Sequence, residues 1–351
     1  MMPYLTEEYG NAGTLYGLGR KAHMAVEHAR EQVARCINAE PEQIIFTSGG
    51  SEANSLVFRG LYDYCMRHVG EPGSLYMSPF EHESLMRSAQ YLYSCGVDWN
   101  TFNPVDGLTD TDYNMDLVSC MFENNETGDR YNVYAIASQA HERGALFHTD
   151  CVQALYTGDV DVGEIGCDFM SISSHKIHGP KGVGALYARD KTVLDPLIFG
   201  GSVQEFGLRG GTENVAGIVG FGKACELLHF TNLMNWCSWV FRNTLEEDLR
   251  RSGLLDRLRY NSKGFGKITN LRFNGIDAET LVLAMDSRGV CISAGSACTS
   301  HESNPSHVLR AIGLTDEQAR SSVRVSFSRM NTEAEAEEAA HIMAACVKEL
   351  I

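Results

Sequence analysis

Along the first two thirds of the chain, short apolar runs alternate with longer stretches whose apolar residues recur at helical spacing. Leu18, Ala22, Ala25, Val26, Ala29 and Val33 share one face of a helix predicted over residues 18–36. The run Gln43-Ile44-Ile45-Phe46-Thr47 reads as a short buried strand that enters the turn Ser48-Gly49-Gly50-Ser51-Glu52. A helix from Ala53 to His68 follows. Further strands are expected near 74–78, 117–122, 145–148, 168–173 and 183–188, with helices from 82 and near 134–143. Such alternation predicts an α/β fold with a mostly parallel sheet covered by helices on both faces.

The pattern changes after about residue 215. Residues 214–251 read as helical throughout. Strand candidates at 267–273, 289–293 and 322–328 are then separated by helices, the last over 333–350. A smaller C-terminal α+β domain is expected, so that 1–230 forms the large domain and 231–351 the small one. Neither an internal repeat nor a low-complexity segment interrupts this plan.

Composition narrows the function classes. A chain of 351 residues, 44% hydrophobic and 21% charged, has the material for a large core and a smaller one. The net charge is −16 with no basic tract, which weighs against a direct grip on nucleic acid. No apolar run approaches bilayer length, and Met1-Met2-Pro3-Tyr4-Leu5-Thr6-Glu7-Glu8 has neither a basic nor an apolar region of a secretory signal. A cytoplasmic protein without membrane attachment is expected. The 11 cysteines are scattered, with no C-x-x-C pair and no zinc-site spacing, so reduced thiols and no metal are expected. Most read as small buried hydrophobes, including Cys291 on its predicted strand.

Three segments carry chemistry. In Phe46-Thr47-Ser48-Gly49-Gly50-Ser51-Glu52, a glycine turn opens a helix, where exposed N–H groups suit a phosphate; the same pattern is also ordinary strand-to-helix punctuation. In Phe147-His148-Thr149-Asp150-Cys151-Val152-Gln153, Asp150 ends a buried strand. It can hold a pyridinium nitrogen protonated, or simply cap a helix. In Ser171-Ile172-Ser173-Ser174-His175-Lys176-Ile177-His178-Gly179-Pro180, Lys176 follows a buried strand. It is either a Schiff-base lysine or a solvated one.

Four further segments accompany these three. They are Phe80-Glu81-His82-Glu83, Glu123-Asn124-Asn125-Glu126-Thr127-Gly128, Leu208-Arg209-Gly210-Gly211-Thr212-Glu213-Asn214 and Ser293-Ala294-Gly295-Ser296-Ala297-Cys298-Thr299-Ser300. Together and in this order they resemble the cysteine desulfurases, a branch of the class V aminotransferase group of fold-type I pyridoxal-phosphate enzymes. The resemblance runs from residue 3 to the end of the chain.

The resemblance implies a fold-type I architecture whose small domain carries the catalytic cysteine loop. It implies pyridoxal 5'-phosphate as cofactor and L-cysteine as substrate, with sulfur leaving as a persulfide on Cys298 and alanine as the other product. Lys176 would be the Schiff-base lysine, Asp150 the partner of the ring nitrogen and Gln153 that of the ring hydroxyl, with His82 stacked on the ring. Gly50, Ser51, Ser173 and His175 would bind the phosphate, and Thr212 would reach it from the other subunit of a homodimer. Asn125 and Arg324 would hold the substrate carboxylate, a planar fork suiting that task better than lysine.

The polar loop after Cys298, which also holds His301, is long enough to carry a persulfide to a protein acceptor such as an iron–sulfur scaffold. Other sulfur-transfer pathways use the same chemistry. A transaminase of this fold has no use for such a thiol, and a degenerate scaffold would not keep the chemical residues.

Two departures bear on activity. Family members usually open with an upstream strand and turn that line the active site, whereas this sequence opens where that segment ends. Cofactor binding with weak turnover is therefore expected. In Asn11-Ala12-Gly13-Thr14-Leu15-Tyr16 the Ala-Gly pair and Tyr16 replace the usual residues near the expected dimer interface.

Overall fold

The computed structural model describes residues 1–109, 115–158, 160–228, 233–264, 266–295 and 305–351. The chain divides into two compact units, Met1–Glu123 with Tyr131–Phe230, and Asn124–Arg130 with Thr231–Ile351.

The first unit is built on a seven-stranded sheet in the order β1-β7-β6-β5-β4-β2-β3, with strands Ile44–Thr47 (β1), Ser74–Met77 (β2), Asp98–Thr101 (β3), Leu117–Ser119 (β4), Leu146–Asp150 (β5), Phe169–Ser173 (β6) and Gly184–Ala188 (β7). From β3 to β6 every neighbouring pair is parallel, while β7 runs antiparallel to both β6 and β1. All residues of β1, β4, β6 and β7 are buried, which is why these strands read as unbroken apolar runs rather than alternating ones.

The strand expected over 117–122 pairs with β2 only as far as Ser119. Beyond it the Met121 N–H turns to the Glu81 carboxyl group at 2.6 Å instead of continuing the ladder. Edge strand β3 escapes the sequence pattern because Asp98, Asn100 and Thr101 are polar, as suits an edge.

The stretch 214–251 is two helices, Val215–Glu226 in the first unit and Leu233–Arg251 in the second. The apolar Leu227 and Leu228 extend the helical pattern past a helix that has ended.

The second unit holds a four-stranded antiparallel sheet, β10-β11-β9-β8, from Leu258–Tyr260 (β8), Ile268–Phe273 (β9), Ser293–Ala294 (β10) and Ser322–Ser326 (β11). Its core joins Leu271, Phe273 and Val323 to Phe241, Leu281 and Met343 from the helices Leu233–Arg251, Ala278–Asp286 and Glu333–Leu350. Asn124–Arg130 groups with this unit although it lies within 1–230. Asn270 Nδ2 donates to Glu126 O at 3.1 Å and Ser262 Oγ to Thr127 O at 2.6 Å.

The strand expected at 289–293 is reduced to Ser293–Ala294. Val290 and Ile292 pack against the core, but Cys291 between them is exposed and its thiol donates to Asp286 Oδ1 at 3.8 Å. The reading of Cys291 as a buried strand cysteine is corrected accordingly.

His148 ties three strands of the first sheet together. It is fully buried, with Nδ1 2.8 Å from Ser119 Oγ on β4 and Nε2 3.0 Å from Ser171 Oγ on β6. Burial lowers its pKa from the ordinary 6.5 to about 3. Above pH 6.5 the imidazole is neutral in both the folded and the unfolded chain. Below it the unfolded chain takes up a proton that the folded chain refuses. Stability should therefore fall as pH drops from 6.5 towards 3, by roughly 1.4 kcal/mol per pH unit from this residue. Urea unfolding between pH 7 and 4 should show that His148→Gln is less stable at pH 7 but loses less stability on acidification. Equal slopes for the two proteins would remove His148 from the account.

Candidate active site

Asp150 ends β5 with 4% of its surface exposed. Its Oδ1 accepts from Val152 N at 2.9 Å and its Oδ2 from Asn54 Nδ2 at 2.9 Å. Gln153, also buried, follows in the next turn. Glu81 has no exposed surface. Burial, and then the charge of Asp150, push its carboxyl well above the usual range.

His82 caps the helix Glu83–Ser94, its Nδ1 accepting from Ser84 N at 3.1 Å and lying 2.8 Å from Ser84 Oγ. A ring nitrogen that accepts a backbone N–H carries no proton, which leaves Nε2 as the protonated edge of the neutral ring.

The turn after β1 opens the helix Gly50–His68, whose N-terminal position Gly49 provides no side-chain cap. Its first N–H groups, with Ser51 exposed among them, form the anion-favouring end of a 19-residue helix. Two close approaches explain the glycines here. A Cβ on Gly50 would stand 2.6 Å from Val152 Cγ2, and one on Gly184 would stand 2.7 Å from both Gly49 Cα and Ile172 O.

Across the sheet, Ser173 pairs with Gly184, and its Oγ lies 2.9 Å from His175 Nδ1. Partial burial and the charges of Lys176 and Lys181 lower the His175 pKa, keeping that ring neutral. Half-buried Lys176 sits in the turn Ser174–Ile177, which ends at His178 in the left-handed conformation (φ 64°). The His178 Nε2 is in turn fixed 2.8 Å from Tyr156 OH.

Gly50, Ser51, Asp150, Gln153, Ser173, His175 and Lys176 thus follow strand ends of one sheet, where open α/β sheets bind ligands. Thr212 is exposed, just before the helix Val215–Glu226, and no hydrogen bond joins it to this group among the described residues.

In the second unit, Arg324 on β11 donates from Nη1 to Asn125 O at 2.9 Å. The Asn125 Oδ1 is buried without a hydrogen-bond partner among the described residues. Cys298 and His301 lie outside the described residues. Among the described residues no cluster of three or more His, Cys, Asp or Glu could hold a metal ion, and no helix is long and apolar enough to cross a membrane.

Sequence reasoning passed over Asn54, Ser84 and Glu81 as functional side chains. The available signal was Asn54 itself, a polar residue on the helix face that carries Ala53, Leu56, Val57 and Leu61 into the core.

The family described as aminotransferase class-V matches residues 1–338. The chain belongs to that family. A relative from Clostridium botulinum named cysteine desulfurase IscS is 37% identical, with 99% of this chain and 90% of the relative covered. A solved structure described as a NifS-like protein superposes with a TM-score of 0.87 at 26% identity, covering 99% of this chain and 94% of its own. Another, described as SspA in complex with cysteine, gives 0.77 at 31% identity, covering 93% of this chain and 92% of its own.

Gly184→Ala tests the close approach at the glycine turn. Both opposing atoms are backbone and cannot rotate away, so urea unfolding should show a loss of about 1–3 kcal/mol. Gly17→Ala, with nothing near its Cβ, should stay within about 0.5 kcal/mol of wild type. Equal stabilities would show that the turn has room to move.

Proposed function

We propose that this protein is a pyridoxal-phosphate-dependent cysteine desulfurase, which removes sulfur from L-cysteine to give alanine and a persulfide on Cys298. The observation that carries the reading is the convergence at one sheet end of a buried carboxylate (Asp150), an uncapped helix N-terminus (Gly50, Ser51) and a half-buried lysine (Lys176). This donor set fits the cofactor. The glycine cradle and the Ser173–His175 pair suit a phosphate, and the carboxylate suits a ring nitrogen that must keep its proton. The relatives named cysteine desulfurase, and the cysteine-bound neighbour, agree with the substrate.

When bound, pyridoxal phosphate supplies an electron sink for the substrate α-carbon. The Lys176 amine would anchor the cofactor and is placed to take the substrate α-proton. Asp150 would keep a proton on the ring nitrogen, Gln153 would hydrogen-bond the ring hydroxyl, and His82 would lie against the ring with Nε2 as its donor. Gly50, Ser51, Ser173 and His175 would hold the phosphate, with Thr212 contributed by the second subunit of a homodimer. The fork of Arg324, with Asn125, binds the substrate carboxylate. The thiolate of Cys298 would attack the substrate sulfur, forming the S–S bond as the carbon–sulfur bond breaks; the β-carbon keeps that electron pair and takes a proton to become the methyl group of alanine.

A homodimer accords with the exposed apolar side chains of the first unit, among them Leu15 (88%), Phe199 (81%) and Val203 (86%). The persulfide passes to a protein acceptor such as an iron–sulfur scaffold, in the cytoplasm, with nucleic acid not contacted directly.

Incubation with L-cysteine should yield alanine and protein-bound persulfide in equal amounts. Cys298→Ser should keep the cofactor's visible absorbance but lose persulfide, with alanine release down by about 100-fold or more. Lys176→Ala should lose that absorbance band. Alanine without persulfide in the wild type would sink the desulfurase reading. Arg324→Lys should raise KM for L-cysteine by about 10- to 100-fold, because lysine cannot reproduce the bidentate fork.

A further inference from the structure

We propose that Asn54 is a positioning residue that ties Asp150 to Ser84 and, through Ser84, holds His82 with Nδ1 as acceptor and Nε2 as donor. The inference deepens the desulfurase reading and rests on it for its consequence in turnover; the geometry belongs to the first unit alone.

Asn54 is 1% exposed and has two amide hydrogens to place. One goes to Asp150 Oδ2 at 2.9 Å and the other to Ser84 Oγ at 3.0 Å. The opposite amide orientation would set the Asn54 carbonyl against the Asp150 carboxylate, two acceptors face to face, so the carboxylate dictates which way the amide points. Ser84 Oγ then receives a hydrogen from Asn54 and has its own to give. Its neighbour at 2.8 Å is His82 Nδ1, which also takes the Ser84 backbone N–H at 3.1 Å.

A charge at the end of β5 therefore sets the direction of a hydrogen-bond chain that ends on the imidazole. Each donor in such a chain is strengthened by the one before it.

The unsatisfied end of Asn54 supports the assignment. Its Oδ1 is buried without a hydrogen-bond partner among the described residues. A buried carbonyl in that state costs stability that an aliphatic side chain of the same shape would recover. Packing alone therefore gives no reason for asparagine here, whereas two convergent donors do. Glutamine would carry the same amide one methylene further and overpack the site.

The test uses the full chain with 15N-labelled histidine, with and without pyridoxal phosphate. His82 is assigned by comparison with His82→Gln. Wild type should show a bare Nδ1 and a protonated Nε2 at this residue. In Asn54→Leu the Ser84 hydroxyl is released, and the His82 Nδ1 resonance should move towards its position in Ser84→Ala. In both variants kcat should fall about tenfold while KM for L-cysteine stays within about twofold, the mark of a misplaced group rather than of weaker substrate binding.

A folded Asn54→Leu whose Nδ1 resonance and kcat both match wild type overturns the proposal. Should Asn54→Leu fail to fold, Ser84→Ala decides: an unmoved Nδ1 resonance there overturns it equally. If the nitrogen signals shift as stated but no variant, nor the wild type, releases alanine, the positioning role stands and the desulfurase reading falls.

Discussion

The first unit is organised around one buried charge. Asp150 ends a central strand with almost no access to water, where an unpaired carboxylate is prohibitively costly. It survives because the Asn54 amide and the Val152 N–H are aimed at its two oxygens. Meeting that demand fixes the helix Gly50–His68 relative to β5, and with it the uncapped helix end. Through Ser84 it also reaches the N-terminus of the helix Glu83–Ser94. Glu81, a second carboxyl close by, is pushed well above the usual carboxylate range, first by burial and then by Asp150, while its Oε1 receives the Met121 N–H.

A second buried charge does comparable work beside the edge strand β1. Arg30 grips Glu205 with both arms of its guanidinium, at 2.9 and 2.8 Å, and donates to Ile44 O at 2.6 Å. Glu205 in turn receives the Phe46 N–H at 2.6 Å. Glu205 and Phe206 both have positive φ, 41° and 59°, a strain of order 1–3 kcal/mol per residue that persists only where the surroundings over-determine it. Here the ion pair and β1 supply that determination. The strained turn leads directly to Arg209, which meets Glu52 in the first turn of the helix Gly50–His68 at 2.9 Å. The loop bearing Thr212 is therefore tied to this helix by the ion pair and by Leu208, which is buried in the same core as Ala53 and Leu56.

Buried apolar strands and amphipathic helices made the alternation in the first unit legible, because β1, β4, β6 and β7 are buried and mostly apolar. The residues quoted for Schiff-base and ring-nitrogen roles stood out for a related reason: a lysine or aspartate at the end of an apolar run is conspicuous. What stayed illegible depended on long-range partners. Strand β3 is polar because it lies at an edge, and β8 is too short to show a period. The break between the helices at 215–226 and 233–251 is hidden by Leu227 and Leu228, which continue the apolar pattern where the chain changes unit. Asn124–Arg130 joins the second unit through Asn270 and Ser262, far along the sequence. Asn54 shows its purpose only when Asp150 and Ser84 are seen on either side of it.

Burial also sorts the thiols, and this bears on which cysteine can take sulfur. Cys120 and Cys167 are sealed in the core, and burial pushes both thiols far from the thiolate form that attacks. Cys225 is likewise raised, first by its hydrogen bond with Cys36 and then by burial. Cys291 is exposed, and its thiol donates to Asp286 Oδ1 at 3.8 Å. A nucleophilic thiol needs exposure without an adjacent carboxylate. The sequence around Cys298, Gly295-Ser296-Ala297-Cys298-Thr299-Ser300, supplies small polar neighbours and no acid until Glu302. The role proposed for Cys298 therefore rests on the motif it sits in, and burial sets Cys120, Cys167 and Cys225 apart from it.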